Sequence, residues 1–132
     1  MTLRVALIGC GLIGQKRLNL LPPGSVTVAC DTQIDRAQKI AAQSPGCIAT
    51  ESFEQAVSSP KVDVVMIATI NSALAPVALA AVKNGKHVLV EKPAGVSVVE
   101  LEELEVAAGK TSALVRVGYN HRYHPAGLQA LE

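Results

Sequence analysis

Three glycines, an aspartate and a lysine are the residues whose types and spacing could do chemistry in this sequence. Gly9, Gly11 and Gly14 stand in "ALIGCGLIG" with the spacing G-x-G-x-x-G, between an apolar run and a helical pattern. A Cβ would obstruct each one differently. Gly9 permits a tight turn, Gly11 lets the backbone approach a pyrophosphate, and Gly14 allows a helix to pack closely on a strand. The helix that opens at Leu12 and Ile13 would offer free N–H groups and the positive end of its dipole to an anion. Glycines in any tight β-α turn can produce this spacing by chance, so a second element matters. Asp31 follows 22 positions after Gly9, at the end of the next apolar run. A carboxylate there can accept hydrogen bonds from the hydroxyls of an adenosine ribose, and the pair of features predicts a dinucleotide site. The same carboxylate would repel a 2′-phosphate, and no Arg or Lys follows before Arg36, so the expected cofactor is NAD in preference to NADP. The bland alternative is that Asp31 merely ends a strand, with Thr32 capping the next helix.

The lysine lies in "HVLVEKPAGVS", where an apolar run stops at Glu91-Lys92-Pro93. An isolated Glu-Lys at a strand end is ordinarily a solvated ion pair. In an open α/β sheet, however, the carboxyl ends of the strands open into the crevice where ligands bind. Thr69 and Asn71, after the fourth run, would then flank the cofactor, and Lys92, after the fifth, would face the nicotinamide. A lysine so placed can donate to a substrate hydroxyl and stabilise the negative charge that develops as proton and hydride leave. Glu91 would hold that lysine or touch the nicotinamide ribose. Pro93 would fix the exit of the chain, and a cis Lys92-Pro93 bond is an option that only proline offers cheaply.

Positioning these groups requires a sheet. Apolar runs occur at residues 3–8, 26–30, 62–69, 87–91 and 113–118, with a weaker one at 47–50. They are apolar throughout rather than alternating, which suggests strands covered on both faces. Helical patterns lie between them. Thr32 with Asp35, Ser52 with Gln55, and Ser97 with Glu100 resemble capping-box starts. Pro76 near the start and Gly85 after the end frame "PVALAAVKNG" as one helix. In the last helix Leu101, Leu104 and Ala108 line one stripe, leaving Glu102, Glu103 and Glu105 as a solvated face. Lys16 and Arg17 read as the solvated face of the first helix. The pattern predicts an α/β fold: a Rossmann-type doubly wound parallel sheet of six strands in a single domain, ordered 3-2-1-4-5-6.

Composition narrows the partners. With 132 residues, 49% hydrophobic and 17% charged, the chain can build one core, and with 2% aromatics that core must be aliphatic. A net charge of +1 without basic runs interleaved with aromatics argues against nucleic acid. The longest apolar run, Val64 to Ile70, is far too short for a bilayer, so no membrane partner is expected. No signal-peptide anatomy precedes the first strand. Cys10, Cys30 and Cys47 are odd in number and form no C-x-x-C pair, so they read as small buried hydrophobes in a reducing, cytoplasmic setting.

Taken together, "ALIGCGLIG", "VACD", "GKHVLVEKPAGVSVVELEEL" and "VGYNHRYHP" resemble the N-terminal half of the glucose-fructose oxidoreductase/inositol dehydrogenase/rhizopine-catabolism (Gfo/Idh/MocA) family. The resemblance covers essentially the whole chain, and "GKHVLVEKP" followed by "VGYNHRYHP" is its most specific part. It implies an NAD(P)-dependent dehydrogenase that acts by hydride transfer on a sugar, cyclitol or similar polyol, with the full-length protein a homo-oligomer. It places Lys92 in the active site and Asn120 at the border of the nicotinamide pocket. It implies that residues 1–119 form the NAD(P)-binding domain and that 120–132 begin the connection to a C-terminal substrate domain absent from this chain. The isolated chain should then lack turnover. One departure stands out: many members carry a histidine shortly after the fourth strand, where this sequence has Ile70 and Leu74 at the nearest positions.

His121 and His124 are spaced i, i+3, but Pro125 opposes a regular helix and no third ligand is near in sequence, so no metal site is expected. His121 reads equally well as an aid to substrate placement or as part of a surface turn, and His87, opening a strand, reads as structural. Two other functional classes fit parts of the pattern. A non-catalytic NAD-binding sensor or partner-docked module would keep the dinucleotide site without the reaction. A methyltransferase using S-adenosylmethionine also exploits a glycine-rich first loop, but it has no role for Glu91-Lys92-Pro93.

Overall fold

The computed structural model describes residues 3–118 apart from Pro93 and Val96. Elements alternate in the order β1 (Val5–Ile8), α1 (Leu12–Leu20), β2 (Val26–Cys30), α2 (Ile34–Ala41), β3 (Ile48–Thr50), α3 (Phe53–Ser58), β4 (Val64–Ile67), α4 (Asn71–Lys83), β5 (His87–Glu91), α5 (Val98–Gly109) and β6 (Val115–Gly118). The six strands form one parallel sheet ordered β3-β2-β1-β4-β5-β6, as the alternation predicts. The chain's direction of travel across the sheet reverses between β1 and β4. Ile8 pairs in register with Cys30 on one side and Ile67 on the other, so the strands flanking this switch point end level.

Uninterrupted apolar strands are explained by the two layers they separate. One face of the sheet, with Ile8, Val28, Val65, Ile67, Val88 and Val90, packs on Val57, Leu74, Val77, Val82 and Leu104 from α3, α4 and α5. The opposite face, with Val5, Leu7, Val26, Ala29 and Met66, packs on Ala37 and Ile40 of α2 and on half-buried Leu18 of α1. Each large aliphatic side chain so buried contributes about 1.5–3 kcal/mol, and this double layer holds the loops at the carboxyl edge in place.

Several sequence expectations are corrected at element boundaries. Ser52 and Ser97 do cap their helices, accepting from Gln55 N–H and Glu100 N–H at 3.2 Å each. Thr32 does not: the N-cap of α2 is Gln33, whose own N–H donates to Asp31 Oδ1 at 2.8 Å. The aspartate side chain thus takes over the turn that a threonine cap would have made. Pro76 lies inside α4, which begins five residues earlier, at Asn71. It removes one backbone donor near the helix N-terminus, and burial of Leu74, Ala75, Val77 and Ala78 around it outweighs that loss. In α5, Leu104 is buried but Leu101 is exposed along with the carboxylates. Cys10 and Cys30 are buried and Cys47 half-buried, all unpaired. Burial pushes their thiols up to about 12, 11 and 11 respectively. No helix among the described residues is long and apolar enough to cross a membrane.

Candidate functional site

At the carboxyl edge the glycine loop turns over the end of β4. Gly9 has φ +96°, a region that disfavours any side chain, and a Cβ there would overlap Ala68 O and lie 2.9 Å from Thr69 N. Gly14 is packed on the loop itself, since its Cβ would overlap Gly9 O. Gly11 differs from both. A Cβ on it would meet nothing closer than Arg36 Nη1 at 3.9 Å, and Gly11 lines an open cleft of about 550 Å³. Gly9 and Gly14 are demanded by the protein; Gly11 leaves room for something else. It is also the N-cap of α1, with no side-chain cap and no acidic residue in the first turn, so the amide end of the helix is left to a ligand or to water.

Asp31 stands at the same edge, half-buried, directly after β2. Its Oδ2 accepts Cys10 N–H at 2.8 Å and its Oδ1 accepts Gln33 N–H at 2.8 Å. Two backbone donors therefore fix the carboxylate plane while each oxygen keeps further acceptor capacity. The first of these bonds ties β2 to the glycine loop, so the acid and the loop hold a common position.

The cleft brings together Gly9, Gly11, Leu12, Ile13, Asp31 and Thr69 of the sequence-predicted residues. Gly14 sits behind them as packing. Asn71 opens α4 and is exposed, outside the cleft wall. Of the two positions nearest the family's histidine, Ile70 lines the cleft while Leu74 is fully buried in the core. Lys92 is exposed in the turn that leaves β5. Glu91, the last residue of β5, does not turn to that lysine: its Oε1 accepts Arg17 Nε–H at 2.6 Å. Arg17 is accordingly no solvated helix residue; its side chain and that of Glu91 are only 18% and 15% exposed. Asn120, His121 and His124 lie outside the described residues. Among the described residues no cluster of three or more His, Cys, Asp or Glu could hold a metal ion.

Sequence reasoning set Arg36 aside as too far along the chain from Asp31 to bear on the cofactor and passed over Glu51; both line the cleft. Arg36 stands in the first turn of α2, and helical side chains lean back over the turn that precedes them, which is the signal that could have found it. Glu51, in the loop after β3, carries no such local signal.

A family profile described as an oxidoreductase family with an NAD-binding Rossmann fold matches residues 3–119. The chain belongs to the Gfo/Idh/MocA oxidoreductase family. It is 36% identical over 130 residues to inositol 2-dehydrogenase 4 of Saccharopolyspora erythraea, covering 93% of this chain and 38% of that protein. Among solved structures it is similar to GenD2 from gentamicin A biosynthesis in complex with NAD, at 26% identity and TM-score 0.86, over 98% of this chain and 38% of that one. It is equally similar, at 26% identity and TM-score 0.86, to KijD10, a 3-ketoreductase from Actinomadura kijaniata in complex with NADP and TDP-benzene, over 98% of this chain and 41% of that one. The chain thus spans about two fifths of the length of these Gfo/Idh/MocA proteins, and the part they share is an NAD-binding Rossmann domain.

Proposed function

We propose that this chain is the cofactor-binding part of an NAD-dependent dehydrogenase that oxidises a cyclitol or related polyol by hydride transfer. The observation that carries the reading is the Asp31 carboxylate, locked by Cys10 and Gln33 N–H on the wall of the cleft that Gly11 leaves open. The substrate class is supported by the curated relative, which is named an inositol 2-dehydrogenase.

In this reading the amide end of α1, at Leu12 and Ile13, receives the pyrophosphate, and Asp31 accepts the adenosine ribose hydroxyls. Thr69 and Asn120 border the nicotinamide half. Bound nicotinamide supplies the hydride acceptor. Lys92 donates a hydrogen bond to the substrate hydroxyl oxygen and stabilises the negative charge that builds there while the C–H hydride passes to the nicotinamide and the hydroxyl proton passes to a general base of the substrate domain. NAD is preferred over NADP because Asp31 and Glu51 both face the cleft, against the single guanidinium of Arg36. Residues 1–119 make up this unit and 120–132 begin the connection to a C-terminal substrate domain. The isolated chain then binds NAD without turning over a polyol. The full-length protein would be a cytoplasmic homo-oligomer, a setting that suits three unpaired thiols.

The test is Lys92→Ala in the full-length protein, assayed with NAD and myo-inositol. NAD affinity should stay within about threefold of wild type while kcat falls by on the order of a hundredfold or more, as for loss of a proton-handling group. An unchanged kcat would remove Lys92 from the chemistry.

A further inference from the structure

Two contacts of Glu91 hold the end of β5 from which Lys92 follows. On one side Glu91 Oε1 accepts Arg17 Nε–H at 2.6 Å, and the same oxygen also contacts Arg17 Nη2. The two residues lie 74 positions apart and join β5 to α1, the helix that begins at the glycine loop. On the other side Ala94 N–H donates to Glu91 O at 3.0 Å and closes the turn. Ala94 has φ +70°, and it is the one described non-glycine residue in the left-handed region. Its side chain is buried in the core beneath α4 and α5, which holds the strained backbone there.

A largely buried ion pair is a poor way to gain stability. Removing both charges from water offsets most of the Coulomb attraction, and an aliphatic pair of similar size would hold the two elements about as well. What the guanidinium does that an aliphatic side chain could not is set direction. Its planar fork fixes the carboxylate of Glu91 and keeps that charge from its sequence neighbour. Lys92 follows Glu91 directly, in the turn after β5, so anchoring Glu91 to α1 fixes the point from which Lys92 departs.

We propose that Arg17 is a positioning residue of the reaction: by engaging Glu91 it locks the exit of β5 to α1 and so sets where Lys92 stands relative to the bound cofactor. This rests on the reading that Lys92 handles the substrate hydroxyl.

The experiment compares Arg17→Met, Glu91→Gln, the double variant and Arg17→Lys in the full-length protein, with NAD and myo-inositol as the probes. Arg17→Met should lower kcat by on the order of ten- to a hundredfold, the scale of misplacing a reacting group by about an ångström. The Kd for NAD and the KM for myo-inositol should barely move, whereas Tm should fall, because Arg17→Met leaves the Glu91 carboxylate largely buried without its partner. Glu91→Gln should lose a similar factor, the double variant no more than either single one, and Arg17→Lys should recover part of the loss. Wild-type kcat in Arg17→Met would overturn the proposal. So would a loss of NAD affinity in step with kcat, or a double variant whose losses multiply. Failure of the underlying reading looks different: Lys92→Ala would then keep full kcat, whereas an inactive Lys92→Ala beside a fully active Arg17→Met sinks only the role of Arg17.

Discussion

The two edges of the sheet use the same kinds of side chain in opposite ways. At the amino edge, charged groups close on the protein. Arg4 Nη2 donates to Asp63 Oδ1 at 3.0 Å, Lys86 Nζ donates to Ser59 O and Val62 O at 2.8 and 2.7 Å, and Leu114 N–H donates to His87 Nδ1 at 3.0 Å. These contacts tie the starts of β1, β4, β5 and β6 together. At the carboxyl edge, charged groups are oriented by the protein and then face outward. Asp31 is held by two amides with acceptor capacity to spare, the amide end of α1 carries no cap, and Lys92 is exposed beyond a turn fixed at Glu91 and Ala94. The difference separates scaffold from site. A polar group whose partners are all internal stabilises; one that is pinned but not used up is set for a ligand.

Substitutions can break or sharpen this contrast. The largest effect is expected at Gly9, where an alanine meets both a positive φ and the Ala68 carbonyl. Gly9→Ala should lower stability by about 3 kcal/mol or more, from backbone strain and overpacking together, and a denaturant titration would read it. Next comes Asp31→Ala, which strips the partner from Cys10 N–H and Gln33 N–H. It should lose about 2 kcal/mol of stability. It should also lose roughly tenfold in NAD affinity, about 1.4 kcal/mol, by calorimetry. NADP affinity should fall less, narrowing the ratio of the two. Gly11→Ala should be the inverse of Gly9→Ala: a stability change under about 1 kcal/mol, since a cap glycine tolerates alanine at small cost. NAD affinity should still fall about tenfold, because the new methyl group enters the cleft. If Gly11→Ala destabilised the fold as Gly9→Ala does, the division of labour among the glycines would be wrong.

The smallest effect belongs to the amino edge. Hydrogen bonds from the Arg4 side chain and then its backbone N–H hold the Asp63 carboxyl down at about 2. A depressed carboxyl contributes stability that is present above its ordinary value of about 4. That contribution is lost as pH falls toward about 2. Asp63→Asn should therefore flatten the acid end of the stability curve slightly, the pair being solvent-exposed, and leave NAD affinity untouched. A change in NAD binding would show that the two edges are not independent.

Legibility in the sequence followed the range of the interaction. The order of the strands and the two serine caps were readable because uninterrupted apolar runs and capping spacings are local. The three glycines were readable as a set, yet only the structure separates Gly9 and Gly14, which the fold requires, from Gly11, which the cleft requires. Thr32 lost its cap to Asp31 because a carboxylate two residues ahead of Gln33 makes the same turn with a stronger acceptor. Pro76 marked a helix start by its chemistry, but burial of its neighbours carried α4 back to Asn71. Arg17 and Glu91 could not be paired from sequence at all, because 74 residues and three complete crossovers separate them. Asn120, His121 and His124 fall beyond the described residues, and their roles stay where the sequence left them.

The central claim is that the dinucleotide sits at the carboxyl edge, across the glycine loop and Asp31. The most direct measurement is a titration of the 132-residue chain with NAD, followed residue by residue through amide NMR shifts. The amides of Cys10, Gly11, Leu12, Ile13, Gln33 and Thr69 should move together along one saturable curve, while those of Arg4, Asp63, His87 and Leu114 stay in place. Shifts confined to the amino edge, or none at saturating NAD, would contradict it.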